Sequence, residues 1–380
     1  MTAPIQKQKA YLNKIESINL GSFYTPLFVV EIARKMLSDF LQKTKQNPKD
    51  FILLDSSCGY GSFLQSRDSV DFQKVIGADI DKEALNVARE NLKETATLLL
   101  HKNALQEASR WHFGITESSK LIIIGNPPYN DKTSIVQRHL KDKSCSVDSA
   151  LKARDIGISF LRSYAMLGAH YICVLHPLSY LIKESNFKAL KSFASNYRLL
   201  DSLVISSQIF CPKSSGYFPI LIALYAKNQA GMDYHFIQNY TFKTLEKRQF
   251  CLKDYDFIAK YVDKYPKKSI KDSLISSQKV AMFYTLRDIN ALKRSRTFLE
   301  KPNANTIYVS QEKYSLYCYI DVFKQMLAHI PYYFGNCDVF IDYEKFKPLE
   351  SYFVESSQNK IPSPVIKQYF KELLGEHYED

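Results

Sequence analysis

The feature that most constrains this 380-residue chain is the alternation of strand-length apolar runs with helix-patterned segments over its first 227 residues. The predicted strands are Phe51–Asp55, Val75–Asp79, Thr97–Leu100, Leu121–Ile124, Tyr171–Leu175, Leu203–Ile205 and Pro219–Tyr225. Between several of them the spacing turns helical. From Lys82 to Lys93 it puts Leu85, Ala88 and Leu92 on one face, and from Ile156 to Leu167 it aligns Ile156, Phe160 and Tyr164. Such alternation implies βαβ units and an α/β fold with a mainly parallel sheet. Sheets of this kind bind ligands outside the carboxyl ends of their strands, so the strand ends are where function is to be sought. After Gln229-Ala230-Gly231 the alternation fades and Tyr, Phe and Lys become dense. Residues 1–230 therefore read as one domain and 231–380 as a second, basic and aromatic module.

One strand end stands out. Asn126-Pro127-Pro128-Tyr129 follows Leu121–Ile124 with only Gly125 between. Gly125 permits a sharp exit from the sheet, and the prolines fix φ and remove two backbone donors. Proline also keeps Asn126 out of the helical region, holding its amide at the strand's edge. The Asn126 side chain and the Pro127 carbonyl then offer two acceptors, and the Tyr129 ring offers a flat face. A planar group bearing an NH₂ is the natural guest, although Pro and Asn also build ordinary surface turns.

A second strand end carries Asp55-Ser-Ser-Cys58-Gly59-Tyr60-Gly61, followed by Ser62-Phe63-Leu64 at the expected start of a helix. Two glycines around one residue allow close backbone approach to a ligand. Leu64 stands where a dinucleotide fingerprint would have its third glycine, and Asp55 would repel phosphate, so the loop suits a cationic or amino-bearing ligand. Asp79, closing the next strand, can accept both hydroxyls of a ribose, while Asp81 is better placed to cap the helix at Lys82. Asn103, after Leu98-Leu-Leu-His-Lys, is either an adenine reader or a turn residue. A nucleoside without pyrophosphate points to S-adenosylmethionine.

The formal charge of +12 favours a polyanionic partner, nucleic acid first. The cysteines (Cys58, Cys145, Cys173, Cys211, Cys251, Cys318, Cys337) are scattered, odd in number and without a Cys-x-x-Cys pair. They support neither a disulfide framework nor a metal site. Residues 1–15 lack the apolar core of a signal peptide, and the apolar stretch from Phe218 to Ala226 is too short to span a bilayer. The expectation is a cytoplasmic protein with no metal and no membrane partner.

These residues together resemble the amino-group DNA methyltransferases, specifically the N6-adenine type in its γ motif order. Gly21-Ser-Phe-Tyr24-Thr25-Pro26 ahead of a helix resembles that family's N-terminal cofactor motif, and Asp55 to Gly61 its Gly-rich motif. Asp79 matches the acidic ribose position, and Asn126 to Tyr129 matches the catalytic motif letter for letter. The resemblance covers roughly residues 20 to 227 and departs from the pattern in two places. Asn103 stands where the family usually has Asp, and Ser56-Ser57 where it more often has Pro-Ala.

The resemblance implies a Rossmann-like S-adenosylmethionine-dependent methyltransferase sheet with helices on both faces, followed by a C-terminal α+β target-recognition region. It implies Tyr24, Thr25, Pro26, Asp55, Cys58, Gly59, Gly61, Asp79, Asn103 and Asn126 as the cofactor's contacts. Asn126, Pro127, Pro128 and Tyr129 would form the catalytic centre, with Tyr129 and Phe210 walling a flipped-out adenine (Tyr217 and Phe218 being alternates for Phe210). The substrate would be double-stranded DNA, methylated at adenine N6 within a restriction–modification system. A separate cognate endonuclease is a candidate partner, since the chain offers no convincing Asp…Glu-x-Lys constellation of its own. The basic stretch from Asn130 to Arg154 is expected to order over DNA, and the cations from Lys264 to Arg296 to contact phosphate. The alternatives are an RNA adenine, the amide of a protein glutamine and, from another class, a non-catalytic nucleic-acid-binding module.

Overall fold

The structure, a computed structural model, describes residues 25–65, 70–129, 146–210, 218–266 and 279–380. By its contacts the chain divides into two compact units. The first is Met1–Ile205 with Ile209–Pro212 and Ile220–Ile237, and the second is Ser206–Gln208 with Lys213–Pro219 and Gln238–Asp380.

The first unit is built on strands β1 (Phe51–Asp55), β2 (Lys74–Asp79), β3 (Thr97–His101), β4 (Lys120–Gly125), β5 (Tyr171–Pro177), β6 (Tyr197–Ser206) and β7 (Pro219–Lys227). They form one sheet in the order β3-β2-β1-β4-β5-β7-β6. Neighbours from β3 through β5 pair in parallel, and β7 runs antiparallel to β5. Every residue of β1 is buried, as are Leu121 to Gly125 of β4, which is why these strands read as unbroken apolar runs. The strand order reverses between β1 and β4, so their carboxyl ends flank the crevice where such sheets bind ligands.

Helix α1 (Leu27–Lys43) follows Thr25-Pro26, α2 (Lys82–Asn91) joins β2 to β3, and α3 (Ile156–Met166) precedes β5. Asp81 caps α2, accepting from Glu83 N and Ala84 N at 2.8 and 3.2 Å. Leu85, Ala88 and Leu92 are buried, as their spacing predicts. Two expectations are corrected. Ser62–Leu64 is a single 3₁₀ turn rather than the opening of an α-helix: left-handed Gly61 (φ 80°) precedes it, and the Phe63 carbonyl accepts a 2.8 Å hydrogen bond from the buried Arg34 guanidinium. Strand β6 begins six residues before the predicted Leu203, at Tyr197: Arg198 and Asp201 interrupt the apolar pattern but lie within the strand.

The second unit is α+β. It contains antiparallel pairs β8 (Thr241–Lys243) with β9 (Gln249–Cys251), β10 (Asp256–Phe257) with β13 (Phe340–Ile341), and β11 (Lys279–Tyr284) with β12 (Thr306–Ser310). Its central helix, Tyr314–Gln325, is buried from Leu316 to Phe323. Tyr319 on that helix meets the rings of Phe353, Phe346 and Phe370 at 4.9, 5.4 and 5.9 Å, which explains the aromatic density of the sequence here. Asp321 of the same helix is buried and accepts from Thr297 Oγ1 (2.5 Å), Ser357 Oγ (2.8 Å) and Lys360 Nζ (2.7 Å), so the carboxylate is paired with a cation and both of its oxygens are hydrogen-bonded. Among the described residues no helix is long and apolar enough to cross a membrane.

Candidate active site

The ends of β1, β2, β3 and β4 carry Asp55, Asp79, Asn103 and Asn126. Asp55 ends β1 and is buried, its Oδ1 accepting from Ser57 N at 3.1 Å. Gly125 ends β4 with φ 150°, and a Cβ there would lie 2.7 Å from Asp55 Oδ1. Only glycine lets the β1 carboxyl and the β4 exit approach this closely. Burial, with the nearby Asp79 charge adding to it, pushes the Asp55 carboxyl up to about 8, so at neutral pH it holds a proton.

Asp79 ends β2. Its Oδ2 accepts from Gly59 N at 2.8 Å and its Oδ1 from Asp81 N at 2.9 Å, leaving lone pairs on both oxygens. Withdrawal from water raises its pKa above the usual carboxylate range. The Gly-rich loop is thus tied to β2 twice, since Cys58 N also donates to Ala78 O (2.9 Å). The buried Cys58 side chain lies beneath the loop, its sulfur 3.2 Å from where a Cβ on Gly77 would be. Gly59 and Gly61 are both left-handed, at φ 50° and 80°. A Cβ on Gly59 would meet nothing within 4 Å, so the loop's Gly59 side is open.

The tetrapeptide Asn126–Tyr129 leaves β4 beside this loop. Asn126 Nδ2 donates to Thr25 Oγ1 at 3.0 Å, joining residues 101 positions apart. With its nitrogen engaged there, the amide turns its oxygen the other way, and that buried Oδ1 has no hydrogen-bond partner among the described residues. A buried unsatisfied acceptor is costly and calls for an explanation, of which a ligand donor is one. Pro26 follows Thr25 as the N-cap of α1, while Tyr24 lies outside the described residues. Pro127 and Tyr129 are buried and Pro128 half-buried. Asn103, past the end of β3, donates from Nδ2 to Ser146 O (2.8 Å) and accepts at Oδ1 from Leu105 N (3.0 Å). Phe210 is half-exposed and follows the one-turn segment Ser207–Ile209 at the end of β6. Tyr217 and residues 130–145 of the basic stretch lie outside the described residues.

Sequence reasoning missed a support beneath Tyr129. Asp155 caps α3, its Oδ1 accepting from Gly157 N (2.9 Å) and from the Tyr180 hydroxyl. The Tyr180 ring stacks on His176 at 5.5 Å and 6°, and His176 Nε2 accepts from Tyr225 Oη at 2.7 Å. Burial lowers the His176 pKa to about 4, so the ring packs neutral. A Cβ on Gly157 would fall 2.4 Å from Tyr180 Oη and 3.0 Å from Tyr129 Cβ. An Asp just ahead of a helical pattern is a readable cap signal, but nothing local reveals that the cap also takes a tyrosine. Gly157→Ala is expected to cost about 1–3 kcal/mol by overpacking and to lower activity by shifting Tyr129. An unchanged melting temperature with full activity would refute this.

The profile of the N-6 DNA methylase family matches residues 10–291. The chain belongs to the N-6 DNA methylase family. As a member it is an S-adenosylmethionine-dependent methyltransferase, and its sheet is the α/β sheet expected of one. No curated protein matches it. Among solved structures it is similar to a Listeria monocytogenes protein proposed to be a class I S-adenosylmethionine-dependent methyltransferase. Identity there is 16%, covering 64% of this chain and 70% of that one, with a TM-score of 0.44. It is also similar to a Pyrococcus horikoshii protein proposed to be an RNA methyltransferase, at 16% identity over 60% of this chain and 99% of that one, with a TM-score of 0.39.

Proposed function

We propose that this methyltransferase transfers a methyl group to N6 of a flipped-out adenine in double-stranded DNA. The observation that carries the reading is Asn126 Oδ1, a buried acceptor without a partner among the described residues, aimed by the bond from Nδ2 to Thr25. An exocyclic amino group is the donor such an atom lacks.

The residues present fit the methyl donor. Asp55 and Asp79 draw their hydrogen bonds from backbone N–H groups, which leaves acceptor positions for a ribose at Asp79 and, once Asp55 has given up its proton, for a cationic ligand at Asp55. Gly59 is open where a nucleoside would approach. When bound, S-adenosylmethionine supplies an electrophilic methyl on a sulfonium.

The adenine amino nitrogen is a weak nucleophile because its lone pair is delocalised into the ring. Asn126 Oδ1 accepts one N–H bond and, with the Pro127 carbonyl as second acceptor, stabilises positive charge as it develops on nitrogen. No strong base is needed before attack, and positioning within about 3 Å supplies much of the remainder. Flipping the base from the duplex costs a few kcal/mol, which contacts to Tyr129 and a second aromatic wall, Phe210, would offset.

The second unit supplies the polyanion contacts in this reading. Lys293, Arg294 and Arg296 are exposed on the turn after the short helix Ile289–Leu292, and buried Asp321 holds Thr297 at the turn's end. Lys264, by contrast, is paired with Asp338. Replacing Lys293, Arg294 and Arg296 by Ala is expected to weaken binding to all duplexes alike. The slope of log affinity against log salt should fall by roughly one unit per contact removed. A slope identical to wild type would exclude the turn from the interface.

Expression in a methylation-free host, followed by single-molecule mapping of modified bases, tests the whole reading. N6-methyladenine at a defined DNA sequence is expected. Soluble, cofactor-binding protein beside an unmodified genome would overturn the DNA assignment in favour of an RNA or a protein amide. Work within a restriction–modification system, with a separate endonuclease, belongs to the same proposal, and a defined target sequence would support it.

A further inference from the structure

We propose that Asn103 is a positioning residue that fixes the return end of the chain leaving the catalytic tetrapeptide. The inference rests on the methyltransferase reading, because only there is the tetrapeptide catalytic. The chain exits β4 through Asn126–Tyr129 and comes back to the described fold at Ser146. There the Asn103 amide donates to the Ser146 carbonyl at 2.8 Å, while its own oxygen accepts from Leu105 N at 3.0 Å. A backbone carbonyl only accepts and a backbone N–H only donates, so these partners dictate which way the amide points. The same two stretches are laced together further along. Asp148 N donates to Leu105 O (2.8 Å), Ala108 N to Asp148 Oδ2 (3.4 Å), and Ser163 Oγ of α3 to Ala104 O (2.9 Å). Residues 103–108 thus form a ledge on which 146–148 is held, and Asn103 is its first clip.

This geometry gives a local cause for the amide at a position where the family resemblance implies a carboxylate. Asp at 103 would still accept from Leu105 N. Its second oxygen, however, would face the Ser146 carbonyl, two acceptors at the distance where a donor now sits. An amide satisfies both partners and a carboxylate satisfies one. Asn103 therefore ties the chain just past the end of β3 to Ser146, where the described chain resumes after Tyr129.

The test uses the full chain with N103D and N103A. Three quantities are read: hydrogen exchange of the peptide spanning residues 146–152, the Kd for S-adenosylmethionine by calorimetry, and KM for unmethylated duplex DNA at saturating cofactor. In N103D, exchange at 146–152 is expected to accelerate about tenfold and KM for DNA at saturating cofactor to rise about tenfold. N103A should show the same faster exchange, which separates loss of the clip from any effect of the new charge. Unchanged exchange in both variants overturns the proposal. So does a tenfold rise in cofactor Kd with KM for DNA unmoved, which would make Asn103 a cofactor contact only. If wild-type protein neither binds the cofactor nor methylates DNA, the methyltransferase reading fails, yet the exchange measurement still decides whether Asn103 holds the ledge.

Discussion

Asn126→Ala is expected to lower methyl transfer by about 10²–10³-fold or more while leaving the protein folded. The variant loses the 3.0 Å bond from Nδ2 to Thr25, worth about 1 kcal/mol net. It also removes a buried oxygen with no partner, whose desolvation costs about 1–3 kcal/mol. The two effects oppose one another, so stability should hold or rise as activity collapses. Thr25→Val supplies the contrast: Oδ1 remains but loses the hydroxyl that aims it, and a loss nearer tenfold is expected. Labelled methyl transfer to DNA beside thermal denaturation checks both. If Asn126→Ala transfers methyl normally, the tetrapeptide is a turn and not a catalytic centre.

Asp55 carries the largest stability effect. Its carboxyl is raised from an ordinary 3.8 to about 8 by burial. Between those values the native state holds a proton that the unfolded chain has released. Stability contributed by this group therefore falls as pH rises through the window and levels off above about pH 8. The span corresponds to a cost on the order of 5 kcal/mol at alkaline pH. Asp55→Asn keeps an acceptor for Ser57 N and cannot ionise, so it is expected to match wild type near pH 4 and to be several kcal/mol more stable near pH 9. It should also weaken S-adenosylmethionine binding, since a cation is held best by the ionised carboxyl, and wild-type affinity should climb with pH to about 8. Melting curves and calorimetry at about pH 5, 7 and 9 read both effects. A stability difference that does not vary with pH would show that Asp55 is ionised throughout.

Much of this site was legible because its parts are local. Apolar runs located β1, β2, β4 and β5, and their ends delivered Asp55, Asp79 and Asn126 to one edge. Asp81 read as a cap because capping needs only neighbouring residues. What escaped depends on separation along the chain. No spacing relates Thr25 to Asn126, Asn103 to Ser146, or Asp155 to Tyr180. The insertion of β7 between β5 and β6 is likewise a choice of pairing partner, invisible in either strand's own residues. In the second unit the dense aromatics were plain, but their convergence on Tyr319 was not, because ring packing has no sequence period.

The bond between Thr25 and Asn126 is made through space, and Thr25 reaches it from just ahead of the N-cap of α1. Nothing in that contact depends on which of the two residues is translated first. A rearranged gene that encodes residues 25–43 after β7 would deliver the same hydroxyl to the same amide, provided the connecting loop were long enough. The order of the genetic message and the chemistry of the site are therefore separable in this enzyme. Circular permutation is a change that the contact between Thr25 and Asn126 would tolerate.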